Sequence, residues 1–138
     1  MPVSVTAPAV SVSTSSVVWQ PLDNASIAAM VSGGKTVFVD VTADWCLTCQ
    51  MNKTFALRDK RVGYLLNNSK MVAMRGDWTR PNPSISAYLA SFGRYGIPFN
   101  VIYGPNRPDG VVLPEVLTVG SILSAAKEAD GRNALVVN

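Results

Sequence analysis

Cys46 and Cys49 are the only cysteines in the chain, two residues apart within Asp44-Trp45-Cys46-Leu47-Thr48-Cys49-Gln50. A dithiol at this spacing suits reversible disulfide chemistry. At a helix start the first sulfur gains thiolate stabilisation from the helix terminus, and the second sulfur can reach back to it. Cysteine arithmetic leaves three uses for the pair: a redox couple, a static bridge, or a two-coordinate site for a soft ion such as copper(I). A static bridge across so short a loop would add little stability through chain entropy. The chain has no histidine. This excludes histidine acid–base catalysis, a His-assisted cysteine nucleophile and a Cys/His zinc finger, and two cysteines cannot complete a four-ligand structural zinc site within one chain.

The elements that must position the pair follow from the flanking pattern. Thr36-Val37-Phe38-Val39-Asp40-Val41 reads as a strand, apolar on both faces apart from Asp40, as in the covered middle of a parallel sheet. Burying the Asp40 charge is costly without compensation, and the residue is a candidate acceptor of the Cys49 proton through a water. A helix is expected from Cys46 to about Ala56, and a second piece from Asp59 carries Val62, Leu65 and Leu66.

Before this block, Val17-Val18-Trp19 reads as a short strand ended by Pro21. A helix capped by Asp23 or Asn24 follows and stops at Gly33-Gly34. After it come a strand at Met71–Met74, a loop from Asp77 to Pro81, and a helix with Ile85, Tyr88, Leu89 and Phe92 on one face. A strand over Phe99–Tyr103, a dense turn signal over Pro105–Gly110 and a returning strand Val111–Leu113 predict a hairpin. Thr118 caps a last helix with Val119, Ile122, Leu123, Ala126 and Ala129 inward. The alternation predicts an α/β fold: a mainly parallel central sheet with helices on both faces and an antiparallel hairpin edge.

At 138 residues the chain is expected to form one domain over residues 17–138, with residues 1–16 a flexible linker or tail. The net charge of +3 comes from 12 scattered Lys and Arg rather than a basic stripe, so no nucleic-acid partner is expected. No apolar run approaches the roughly 18 residues of a membrane span, and the first residues lack the pattern of a signal peptide.

Three separated segments carry a family resemblance. Trp45-Cys46-Leu47-Thr48-Cys49 resembles the W-C-x-x-C active site of the thioredoxin superfamily. Asp40 stands six residues before the first cysteine, where that family keeps a buried acid. Phe92-Gly93-Arg94-Tyr95-Gly96-Ile97-Pro98 is similar to its Y-G-I-R-G-I-P segment, which ends in a cis-proline facing the disulfide. More narrowly, residues 37–46 are similar to the V-x-x-D-x-x-A-D-W-C of C-terminal periplasmic domains of the DsbD type. Asp77-Trp78-Thr79 and residues 94–105 look like the matching domain of the ScsB, copper-tolerance, type. The likeness runs from about Trp19 to Ala129.

The resemblance implies a thioredoxin fold and a thiol–disulfide oxidoreductase. Cys46 would be the exposed nucleophile and Cys49 the more buried resolving thiol. Pro98 would offer the backbone beside it to an extended partner segment, with Ile97 and Phe99 as an apolar lip and Trp45 over the dithiol. It implies protein disulfides as substrates, a membrane-embedded electron-donor domain as partner, a periplasmic setting, a monomer, and neither a bound organic cofactor nor a metal. A free-standing thioredoxin recycled by a flavoenzyme and a copper(I) module are the alternatives. One position departs from the DsbD pattern: the acid seven residues after the first cysteine is here Lys53. A cation there favours a nearby thiolate, so Lys53, with Asp44 at the helix start, is expected to tune thiol acidity.

Overall fold

The computed structural model describes residues 17–131. The expected tail over residues 1–16 lies outside them. Five strands form one sheet in the order β1-β3-β2-β4-β5, with β1 Trp19–Pro21, β2 Thr36–Thr42, β3 Met71–Asp77, β4 Phe99–Gly104 and β5 Arg107–Val112. β1, β3 and β2 run parallel, whereas β4 pairs antiparallel with both β2 and β5. The sheet is therefore mixed, with the hairpin reaching to the flank of the central strand. This is the α/β thioredoxin fold expected from the sequence.

Alternation along β2 sorts the core into two layers. Val37, Val39 and Val41 face α1 (Asn24–Ser32) and α4 (Pro83–Ala90), where they pack with Ile27, Val31, Ile85, Tyr88 and Leu89. Phe38 faces the other way, onto α3 (Lys60–Leu66) and α5 (Val119–Asp130), among Val62, Leu65, Ile122 and Ala126. All seven residues of β2 are buried, including Thr36, Asp40 and Thr42. Those three polar residues lie on the Phe38 face by the same alternation.

Local chemistry sets the boundaries. Asp59 caps α3 through the Arg61 N–H, and Asn82 caps α4 through the Ile85 N–H with Pro83 at the first helical position. Thr118 and Ser121 form a reciprocal capping box on α5. α2 (Leu47–Asn52) does not continue as a regular helix to Ala56; it passes into a π-helical segment over Lys53–Leu57.

Several boundaries differ from expectation. The first strand begins at Trp19 and contains Pro21, which is tolerable because β1 is an edge strand. β3 runs three residues further, through Arg75, Gly76 and Asp77. Phe92 lies beyond the end of α4, although it still packs on the same core layer. The turn of the hairpin is only Pro105-Asn106, and β5 already begins at Arg107. Its polar residues are exposed on the edge, and pairing is irregular between Ile102 and Gly104, where β5 bulges. Gly110 has φ of +98°, and a Cβ there would come within 2.6 Å of the Val101 side chain.

Candidate active site

The site is built where β2 ends. After Thr42 the chain turns through Ala43-Asp44-Trp45 and enters α2 at Cys46. Cys46 is the N-cap residue of α2: its backbone is extended, and its Sγ accepts the Cys49 N–H at 3.2 Å. The two cysteines are joined as a disulfide with a Cα–Cα separation of 5.2 Å. An amide N–H aimed at Cys46 Sγ is the group that would stabilise a thiolate there once the bond opens.

Cys46 is not exposed in this oxidised form. It is 6% accessible and Cys49 3%, in a cluster with Ala43 against which Ile97 packs. The Ile97–Pro98 peptide is cis, as the Gly-Ile-Pro context predicts, and Pro98 is buried. The structure thus brings Cys46, Cys49 and Ile97 into one cluster. Phe99 is not part of any lip. It is the first residue of β4 and is 2% exposed between Tyr88 and Phe92, in the core layer against which Ile97 also packs.

Trp45 is 62% exposed. Its indole N–H donates to the Thr79 carbonyl at 3.1 Å, fixing the ring beside the site. With Trp78, Pro81, Tyr95, Gly96 and Ile97 it lines an open groove of about 560 Å³. Asp44 is exposed, and its backbone N–H donates to Thr79 Oγ1 at 2.9 Å.

Thr79 in turn donates its hydroxyl and its N–H to Asp77 Oδ1. These bonds hold the Asp77 carboxyl below the usual carboxylate range, and the Lys53 and Arg75 charges add to the effect. The segment from Asp77 at the end of β3 to Thr79, where the sequence predicts only a loop from Asp77 to Pro81, is therefore the brace of the active-site turn. A second brace comes from Asn52 at the end of α2. Its amide donates to the Glu115 carbonyl at 2.8 Å and accepts the Leu117 N–H at 2.9 Å.

Asp40 is buried but not alone. Arg75 Nε donates to its Oδ2 at 3.0 Å, and Asn100 Nδ2 donates to its Oδ1 at 2.8 Å. The three stand in one register line across β3, β2 and β4. The Arg75 guanidinium also lies over the Trp19 ring, 3.8 Å from its centroid. The charge that appears costly from the sequence is thus compensated, by partners distant in the chain. Lys53 is half-buried at the start of the π-helical segment and lines a cavity of about 290 Å³ with Trp19, Gln50, Arg58 and Arg75. Its charge acts on Asp77.

Sequence reasoning missed Arg75, Asn100, Thr79 and Asn52. Asn100 alone carried a signal, as one amide inside the apolar run Phe99–Tyr103 two residues after Pro98.

The fold, the cis-proline and the capped disulfide can be set beside known proteins. A sequence profile described as Thioredoxin-like matches residues 18–105, more than half of the chain. The chain belongs to the thioredoxin-like family. Among curated relatives, the thiol:disulfide interchange protein DsbD 1 of Pseudomonas aeruginosa is 29% identical over 92 residues, covering 63% of this chain and 15% of that protein. The thiol:disulfide interchange protein DsbD of Pseudoalteromonas atlantica is 35% identical over 72 residues, covering 52% of this chain and 12% of its own length. The chain therefore spans a small part of the relatives it matches. The oxidised C-terminal domain of Neisseria meningitidis DsbD superposes with a TM-score of 0.59 at 23% identity, over 80% of this chain and 98% of that one. A thioredoxin from Thermus thermophilus gives 0.61 at 22% identity, over 86% and 95%. At these identities the structural likeness speaks for the fold. Together, the sequence matches and the shared fold make this a thioredoxin-like domain resembling the DsbD C-terminal domain, with a CxxC disulfide consistent with thiol–disulfide exchange. Among the described residues of this thioredoxin-like domain, no helix is long and apolar enough to cross a membrane.

Proposed function

We propose that this domain is a thiol–disulfide oxidoreductase working as a reductase relay in a protein of the DsbD or ScsB type. It takes electrons from a membrane-embedded partner domain and passes them to protein disulfides in the periplasm. The observation that carries the reading is the Cys46–Cys49 disulfide at the start of α2, with the Cys49 N–H on Cys46 Sγ and Ile97 of the cis peptide packed against the cysteine cluster. The similarity to proteins named as thiol:disulfide interchange proteins supports the exchange chemistry, and the direction and the partners belong to the proposal.

In the reduced domain the Cys46 thiolate attacks a partner disulfide. One partner sulfur leaves as a thiolate, and a mixed disulfide forms on Cys46. Cys49 then gives its proton through a water to the Asp40 carboxylate, and the Cys49 thiolate attacks Cys46 Sγ. The Cys46–partner bond breaks, the Cys46–Cys49 bond forms, and the second partner sulfur leaves as a thiolate. Two electrons have moved to the partner, and Asp40 returns its proton to solvent. Pro98 lends the adjacent backbone to the bound segment by strand-like hydrogen bonds, while Ile97 and the Trp45 groove contact its side chains. Opening the site requires Ile97 to yield, because it packs against the Ala43, Cys46 and Cys49 cluster in the oxidised form.

The test is a trapping experiment. Cys49→Ala in the full-length protein should accumulate a mixed disulfide through Cys46 with periplasmic thiol proteins, and the same adduct should be absent from Cys46→Ala. Adducts formed only with denatured proteins would count against the relay.

A further inference from the structure

Asn100 is 1% exposed in β4, opposite Asp40 in the antiparallel register. Its Nδ2 donates to Asp40 Oδ1 at 2.8 Å and lies 3.4 Å from the Val39 carbonyl. Its Oδ1 accepts nothing. Among the described residues, that oxygen and Thr42 Oγ1 are the two buried side-chain polar atoms without a hydrogen bond. Thr42 is two residues beyond Asp40 on the same face of β2. Idle acceptors in a dry site are costly, so the Asn100 oxygen, on an amide already bonded to the Asp40 carboxylate, calls for a state in which it is used.

The chemistry of the pair supplies that state. Asp40 Oδ2 is held by Arg75 Nε, which only donates, so a proton arriving on Asp40 belongs on Oδ1. There it would meet the Asn100 N–H, donor against donor. An amide carries a donor edge and an acceptor edge, and half a turn about its last side-chain torsion exchanges them. We propose that Asn100 is a positioning residue that follows the protonation state of Asp40: it donates to the carboxylate in the oxidised domain, and it turns to accept the O–H of the carboxylic acid when Cys49 has given up its proton. The inference rests on the proposed role of Asp40 as that proton's acceptor.

The proton balance is closed within the site: Cys49 S–H and Asp40 carboxylate become Cys49 thiolate and Asp40 carboxylic acid, before the sulfur–sulfur exchange. The surrounding charges cannot replace the amide. Arg75 on β3 already occupies Oδ2. Lys53 of the π-helical segment and Arg58, just after it, share a cavity with Arg75, and cations cannot accept. Asp77 lies two residues beyond Arg75 and is bonded to Thr79, and Asp130 on α5 accepts from Thr36 at the other end of β2. A neutral group able to donate in one state and accept in the other is required at Oδ1, and Asn100 is the side chain placed there.

The test is an NMR titration of the full chain, isotope-labelled and reduced with dithiothreitol, following the Asp40 carboxyl carbon and the Asn100 side-chain amide together. The expected result is that the Asn100 carbonyl carbon and amide nitrogen move with the same midpoint as the Asp40 carboxyl. If Asp40 titrates while the Asn100 signals stay flat, the amide is a fixed donor; the inference fails and the role of Asp40 survives. If Asp40 does not titrate and Asp40→Asn resolves mixed disulfides at the wild-type rate, both readings fail. A second measurement uses Asn100→Leu in stopped-flow reaction with a chromogenic aromatic disulfide, whose second phase is attack by Cys49. Equal loss of support for both protonation states predicts a pH midpoint that stays where it is in the wild type. A midpoint raised by about one unit is the result for a fixed donor, and it overturns the proposal.

Discussion

Replacing Arg75 by Met removes the cation from a buried carboxylate while keeping an unbranched stem over Trp19. The side chain of Asp40 is 5% exposed and that of Arg75 26%. Breaking such a pair on one side leaves an uncompensated charge, which costs about 3–5 kcal/mol when fully buried. The partial exposure of Arg75 and the remaining Asn100 donor place the variant toward the lower end. Loss of the contact with Trp19 adds about 0.5–1 kcal/mol. A ceiling also exists, because the variant can protonate the carboxyl instead of burying the charge. From an ordinary aspartate near 3.9, that escape costs about 4 kcal/mol at pH 7 and under about 1 kcal/mol at pH 4.5.

The sign follows. A carboxyl that is neutral in the fold contributes fully below its unfolded value, and the contribution is lost as pH rises, so the deficit of the variant must grow with pH. The expected loss of unfolding free energy is about 3–4 kcal/mol at pH 7, shrinking to about 1–2 kcal/mol near pH 4.5. Urea titrations of the oxidised protein at both pH values, followed by tryptophan fluorescence, measure it. A deficit below about 1 kcal/mol at pH 7, or one of equal size at both pH values, would refute the compensated-charge account.

Further outcomes follow from the same geometry. Lys53→Glu should raise the midpoint of Cys46 alkylation by up to about one unit, and an unmoved midpoint would show that the Lys53 charge is spent on the Arg75 and Asp77 side of α2. The depressed Asp77 carboxyl contributes stability that is present above the ordinary aspartate value near 3.9 and is lost as pH falls through its lower folded value. Trp45 fluorescence should therefore report loosening of the active-site turn only below about pH 4, and Asp77→Asn should abolish that transition. Phe99→Ala should cost about 3–5 kcal/mol of stability, as a core aromatic does, with disulfide exchange retained under folding conditions. Ile97→Ala should do the reverse, slowing exchange with protein disulfides more than it destabilises, and equal losses from both variants would contradict the placement of Phe99 in the core.

The parts of this fold that were legible in the sequence are those written in contiguous patterns. β2 announced itself as an unbroken apolar run, α5 through Thr118 and its helical spacing, and the disulfide through two cysteines at a strand-to-helix junction. What stayed hidden depends on pairing between distant segments. Asp40 looks like a lone buried charge because Arg75 and Asn100 meet it only through the β3–β2–β4 register. Phe99 looks like an exposed partner of Ile97 because the residues are near in sequence, yet as the first residue of β4 it is closed in by Tyr88 and Phe92. Thr79 and Asn52 are ordinary loop and helix residues until their hydrogen bonds to the turn at Asp44 and the loop at Leu117 are seen. At the hairpin, Pro108, Asp109 and Gly110 suggest a turn, but an exposed, bulged edge strand accepts the same residues.

The central claim, that Cys46 and Cys49 form a reducing redox couple, is tested most directly by the equilibrium reduction potential of the pair. Graded thiol buffers, with Trp45 fluorescence and alkylation mass as independent readouts, give the value. The account predicts a single transition near or below about −230 mV, toward the thioredoxin end of the scale. A potential near about −120 mV, as for a strong disulfide donor, or no transition at all, would contradict it.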